Sequence, residues 1–160
     1  MTNSGSSPAP STLKVLAVRL GESLHGIPIE AIEEILPALP VEPIAQCPEF
    51  VGGVVVVRGH RIPVLEAAQR LGIRHHVRPL EPHIVCMRWS GRLVGLEVDE
   101  ALDLMELPAS ARLAAGDLGA QGGFLSAVIE HQGQVIRVLD PAQLLAPSEA
   151  QSLQRLPQTP

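Results

Sequence analysis

Phe50-Val-Gly-Gly-Val-Val-Val-Val-Arg-Gly-His-Arg-Ile-Pro-Val-Leu65 reads as a single β-hairpin. The consecutive valines Val54 to Val57 favour extended chain, because branching at Cβ restricts χ1 and suits a pleated surface. Arg58-Gly59-His60 then supply a turn, with Gly59 taking the positive φ that a tight hairpin needs. Ile62 to Leu65 return as the second strand. Val54 and Val56 point to one face of the first strand and Val55 and Val57 to the other. Both faces therefore need apolar cover, from the core or from a partner.

Working outward, the same pattern recurs. Val15 to Leu20 turns through Gly21-Glu22-Ser23 into Leu24 to Ile27. His83 to Trp89 turns through Ser90-Gly91 into Leu93 to Val98, and Ala127 to Glu130 turns through His131-Gln132-Gly133 into Val135 to Leu139. Short strands with closely spaced turn residues predict an all-β sandwich or barrel.

The chain also resembles itself, which sets the architecture. At an offset of 74 residues, Phe50 falls on Phe124, Val54 on Val128, Gly59 on Gly133 and Ile62 on Ile136. Val64, Leu65, Glu66, Ala68, Gln69 and Leu71 fall on Val138, Leu139, Asp140, Ala142, Gln143 and Leu145. Earlier, Arg19, Leu24 and Gly26 fall on Arg88, Leu93 and Gly95 at an offset of 69, the difference falling in the loop from Ala109 to Gly123. Each copy reads as hairpin, connecting segment, hairpin, short helix. A unit of about 60 residues is marginal alone, so the copies are expected to pack together.

Ile29, Ile32, Ile35 and Leu36 follow Pro28 near helical spacing and predict a helix. Their counterpart, Val98 to Met105, alternates more like a strand. Glu66 to Leu71 before Gly72, and Pro141 to Leu145, read as short helices. The expected domain spans 13–146, with one barrel over about 13–72 and another over about 82–146. Residues 1–12 and 147–160 are rich in Ser, Pro and Gln and read as flexible tails.

Composition narrows the function. The 160 residues carry 12 basic and 17 acidic side chains, a net charge of −5, with two Phe, one Trp and no Tyr. A nucleic-acid binder needs a basic face and often aromatic platforms, so nucleic acid is not an expected partner. The start lacks a basic n-region and an apolar h-region, and the longest aliphatic run, Val54 to Val57, is too short to span a bilayer. Cys47 and Cys86 make no CxxC. A reduced, cytoplasmic protein without direct membrane insertion is expected.

No chemistry emerges from the motifs. His75-His76 sit in a linker with Arg74 and Arg78, a solvated loop by composition, and no HxxxH or HExxH pair exists. Nucleophile elbows and phosphate-binding glycine patterns are absent, and Gly52-Gly53 precede a strand rather than a helix. Glu33 and Glu34 are adjacent and diverge on a helix. No enzyme, no cofactor and no metal are expected.

The quoted hairpin resembles the signature of CheW-like domains, a Gly-Val-x-Asn-x-Arg-Gly turn followed by an Ile/Leu-Pro-Val strand ending in Asp-Leu. Gly26-Ile-Pro-Ile-Glu-Ala-Ile-Glu-Glu-Ile35 is similar to the family's Ile-Pro to Glu-Ile segment, and Leu93-Val-Gly-Leu-Glu-Val-Asp99 to its Gly-Leu-x-Val-Asp strand. The resemblance runs over about 13–145 in order. Val56 stands where the motif has Asn, Glu66 where it has Asp, and Ala67 where it has Leu. The resemblance implies a mostly β fold of two packed SH3-like five-stranded barrels with short helices. It implies an adaptor coupling the cytoplasmic tip of methyl-accepting chemoreceptors to a CheA-like histidine kinase. One barrel would dock on the kinase, and the groove between barrels would take the receptor's helical hairpin.

The residues singled out as partner-binding are Ile32, Glu34, Gly53, Val54, Val56 and Arg58. Arg58 matches the family's Arg-Gly and suits an interface, since guanidinium both bonds and packs. Ile32 and Glu34 match its Val-x-Glu positions, while Gly53 reads equally as a backbone necessity. The rivals are a scaffold for a divergent chemosensory pathway (type IV pilus or surface motility), a small β-barrel cofactor-binding enzyme, and a fragment of a kinase's regulatory domain. The chain's own start, its polar tails and its lack of kinase motifs favour a free-standing protein.

Overall fold

A computed structural model describes residues 12–45, 49–89, 91–112, 123–146, 148–149 and 151. All four predicted hairpins form. They are β1 (Thr12–Leu20) with β2 (Ser23–Pro28), β4 (Val51–Val57) with β5 (His60–Glu66), β6 (His83–Trp89) with β7 (Arg92–Val98), and β9 (Leu125–His131) with β10 (Gln134–Leu139). At two tips a polar residue and a glycine share the left-handed region: Arg58 and Gly59 at φ 49° and 80°, Gln132 and Gly133 at 52° and 80°. Two successive positive φ values match the right-handed twist of the flanking strands.

The connecting segments are strands in both copies. Ile29–Ala31 is one turn of 3₁₀ helix, and the predicted helix then gives way to β3 (Ile32–Leu36). Ile32 and Ile35 are β-branched, and pairing with β6 outweighs the helical spacing. Its counterpart is β8 (Glu100–Pro108). α1 (Ala67–Arg70) is the first predicted short helix. The second is a 3₁₀ turn, Pro141–Gln143, capped where Ala142 N–H donates to Asp140 Oδ1 at 3.1 Å. The predicted tails lie largely outside the described residues, although Thr12 opens β1 and Glu149 bonds Arg70.

The strands make two five-stranded sheets, in the orders β8-β1-β2-β10-β9 and β3-β6-β7-β5-β4. Replacing each strand by its repeat counterpart turns one order into the other. The parallel joints agree in register, Val138 opposite Gly26 in one sheet and Val64 opposite Gly95 in the other. The sheets do not, however, divide the chain at 13–72 and 82–146. Each copy gives its first hairpin to the other's sheet, so one sheet is built from β3 to β7 and the other from both ends of the chain. An amphipathic hairpin specifies which face is buried but not which hairpin it lies beside.

Three cores result. Val55, Val57, Ile62, Val64 and Ile84 fill the inside of the β3–β7 sheet, and Val15, Ala127, Ile129, Ile136 and Val138 fill the other. Between the sheets lies a shared core that includes Leu16, Leu20 and Leu139 from one and Leu65, Val85 and Leu96 from the other. Each such side chain buried from water contributes roughly 1.5–3 kcal/mol. At its margin the Arg70 guanidinium lies 5.0 Å from the Phe50 ring centroid and 5.2 Å from that of Phe124. Arg70 also donates two hydrogen bonds to the Glu149 carboxylate, at 2.7 and 2.6 Å. The repeated phenylalanines thus share one cation across the junction.

Candidate functional site

In the β3–β7 sheet the outer strands are β3 and β4. The chain leaving β3 crosses to β4 and closes the barrel, Glu42 and Val54 exchanging backbone bonds of 2.8 and 2.9 Å. Gly53 is required there. Its φ is 146°, and a Cβ would stand 2.2 Å from the Glu42 carbonyl oxygen. The same closing bridge covers Val54, which is 2 % exposed.

A second closure is electrostatic. From the hairpin tip Arg58 donates through Nη1 to Glu34 Oε2 at 3.2 Å and through Nη2 to Glu34 Oε1 at 2.5 Å. Glu34 stands on β3, so the fork spans the two edges of the sheet. The hydrogen bonds from Arg58 hold the Glu34 carboxyl below its ordinary range, and the carboxylate raises the guanidinium in turn. Beside it, Arg88 Nε donates to Glu33 Oε1 at 2.8 Å. Cys86, opposite Glu34 in the β3–β6 register, has its thiol pushed up to about 11 by burial, with the Glu34 charge adding to the effect. It stays a protonated core thiol at neutral pH.

Of the six predicted residues, the structure joins Glu34 and Arg58 directly and leaves Val56 exposed two positions before Arg58, at 47 %. Ile32 is half-buried and rests on the shared core. Gly53 and Val54 lie inside the closure rather than on the surface. Val55 and Val57 face the core, which settles which valine pair points outward. Ile35 was missed. It is 45 % exposed next to Glu34, and the helical reading of its segment hid the strand alternation that turns it outward. The product is a sheet edge with two aliphatic side chains flanking a fixed ion pair, a surface suited to protein contact.

Among the described residues, no three His, Cys, Asp or Glu side chains converge as metal ligands. No helix among them is long and apolar enough to cross a membrane.

Residues 14–149 match the model of the CheW-like domain family. The chemotaxis protein CheW of Rhizobium meliloti (strain 1021) is 25% identical over 142 residues, covering 88% of this chain and 92% of that protein. The chemotaxis protein CheW of Thermotoga maritima is 29% identical over 94 residues, 59% of this chain and 62% of its own length. The crystal structure of the scaffolding protein TtCheW from Thermoanaerobacter tengcongensis superposes with a TM-score of 0.75 at 20% identity, over 86% of this chain and 95% of that one.

Proposed function

Because this chain belongs to the CheW-like domain family, we propose that it is a non-enzymatic cytoplasmic adaptor of chemosensory signalling. It couples the cytoplasmic tip of methyl-accepting chemoreceptors to a CheA-like histidine autokinase. The observation that carries the reading is the edge of the β3–β7 sheet, where Ile35 and Val56 lie exposed beside the Arg58–Glu34 fork. A rigid sheet edge can hold a partner without moving, and the fork fixes the hairpin tip before binding. The kinase docks on this edge, and the receptor hairpin enters the groove between the sheets.

Val56 gives the surface an aliphatic side chain where the family motif carries Asn. That favours a partner matched to this chain, as in a divergent pathway controlling pili or surface motility. Calorimetry against the CheA-like kinases of the same organism, with a chemoreceptor fragment as second titrant, tests both readings. Saturable binding at micromolar or tighter Kd is expected. Arg58→Glu should weaken it by about ten-fold or more, with unfolding unchanged, as for an interface anchor. No binding to any such kinase, or a collapse of melting in the variant, overturns the assignment.

A further inference from the structure

Residues 71–82, Leu-Gly-Ile-Arg-His-His-Val-Arg-Pro-Leu-Glu-Pro, join α1 to β6. Their composition predicts a solvated loop, yet the structure pins it at three points. Ile73 N–H donates to the Ala68 carbonyl at 2.9 Å, and its side chain lies on the shared core. His76 Nε2 sits 2.6 Å from Asp99 Oδ1. Arg78 donates through Nε and Nη2 to the Glu97 carboxylate, both at 2.8 Å. Glu97 and Asp99 are only 7 % and 6 % exposed, and buried carboxylates require such partners.

Turning His76 and Arg78 inward turns Val77 outward. Val77 and Leu80 are 83 % and 100 % exposed, the most exposed large hydrophobic residues among those described. Leu80 stands on the rim of a groove of about 400 Å³ whose other wall includes Leu39, Pro40 and Val41. Scattered aliphatic residues on a surface are ordinary, but two displayed by a pinned loop beside an apolar groove are not. The flanking charge is basic. Between Leu71 and Leu80 the sequence has Arg74, His75, His76 and Arg78 and no acid, in a chain of net charge −5. Glu97 and Asp99 occupy Arg78 and His76, so exposed Arg74 and His75 form the basic rim.

We propose that this loop and groove dock an acidic, aliphatic segment of another protein. Its carboxylates meet Arg74 and His75, and an aliphatic side chain enters the groove beside Leu80. Charge complementarity selects such a partner, and the pinned loop lowers the entropy lost on binding. The surface shares no residue with the Arg58–Glu34 edge, so the inference stands or falls apart from the kinase reading.

The test is amide NMR of the full chain titrated with the peptide acetyl-Glu-Leu-Asp-Leu-Glu-Leu-Asp-amide. Two controls replace the acids by lysine or the leucines by serine. Shifts confined to residues 74–81 and 39–41 are expected, with both controls and the double variant Arg74→Glu, Leu80→Ser binding about ten-fold more weakly or worse. Both substituted side chains are at the surface, so the variant should melt with the wild type, which separates lost binding from lost fold. Absence of shifts at millimolar peptide, or equal shifts with all three peptides, overturns the proposal. Changes at the same amides on diluting the chain alone would make a second copy the occupant. Loop-dependent sedimentation with anionic phospholipid vesicles, without peptide binding, would make it a membrane. Either result also overturns the proposal.

Discussion

The two sheets share strand order and the register of the parallel joint, yet differ where their edges meet. In the β3–β7 sheet, Glu34 on the edge strand takes the Arg58 fork from the opposite hairpin. The equivalent positions in the other sheet are Asp103 and Gln132, which cannot form a charge pair. Glu33, bonded to Arg88, is matched by exposed Leu102, and Ile35 by still more exposed Leu104. Arg19, the partner of Arg88 in the repeat, instead reaches Asp99 and Glu100 at 3.5 Å. Core positions are held alike because each packs against many neighbours, whereas an edge residue answers mainly to solvent or to a partner. Divergence between the copies is therefore concentrated on the surfaces able to bind.

The largest expected effect tests the barrel closures. Gly53→Ala puts a Cβ against the Glu42 carbonyl at a positive φ and should cost about 3 kcal/mol, from backbone strain and overpacking together. At the equivalent position the reverse change, Ala127→Gly, should cost only about 1 kcal/mol. Urea unfolding of both variants measures the contrast, and equal losses would mean that the two closures are built alike.

Arg70 breaks the symmetry of the junction, since its counterpart is Leu144. Arg70→Ala removes the cation between Phe50 and Phe124 and leaves Glu149 unpaired. A loss of about 2 kcal/mol in urea unfolding is expected for this mostly buried pair. Glu149→Gln should lose less, because it keeps the stacked guanidinium.

The smallest effect is the titration of the edge pair. The folded-state pKa of Glu34 is lowered by Arg58, so its contribution is present above the ordinary carboxyl value of 4.5 and disappears as pH falls through the lowered value. Carbonyl-detected NMR should place the Glu34 midpoint below 4.5 and return it toward 4.5 in Arg58→Ala. Gln132→Ala should leave Asp103 where it was. An unmoved Glu34 midpoint would mean that the fork does not persist in solution.

The hairpins were legible because each is local: a run of branched residues, a turn with Gly, and a return strand within about ten residues. Ile32–Leu36 was misread because Ile and Glu at three- and four-residue spacing satisfy a helix as well as an edge strand. Its repeat counterpart from Val98 to Met105, already strand-like, carried the better signal. Arg58 was singled out correctly as belonging with Glu34, but the bond between them joins positions 24 apart across a closed barrel. Ile35 and the pinned loop were invisible, since exposure and the pairing of His76 with Asp99 exist only after folding.

By itself, then, the sequence determined four hairpins, their order, the duplication and the faces each strand must bury. Those follow from side-chain alternation and turn chemistry within short spans of chain. The tertiary structure alone decided that the copies exchange their first hairpins. That choice rests on two parallel joints, β2 with β10 and β5 with β7, and on a core shared between the sheets. Alternation marks a buried face but leaves open which edge lies beside which, and only packing the whole chain resolves it.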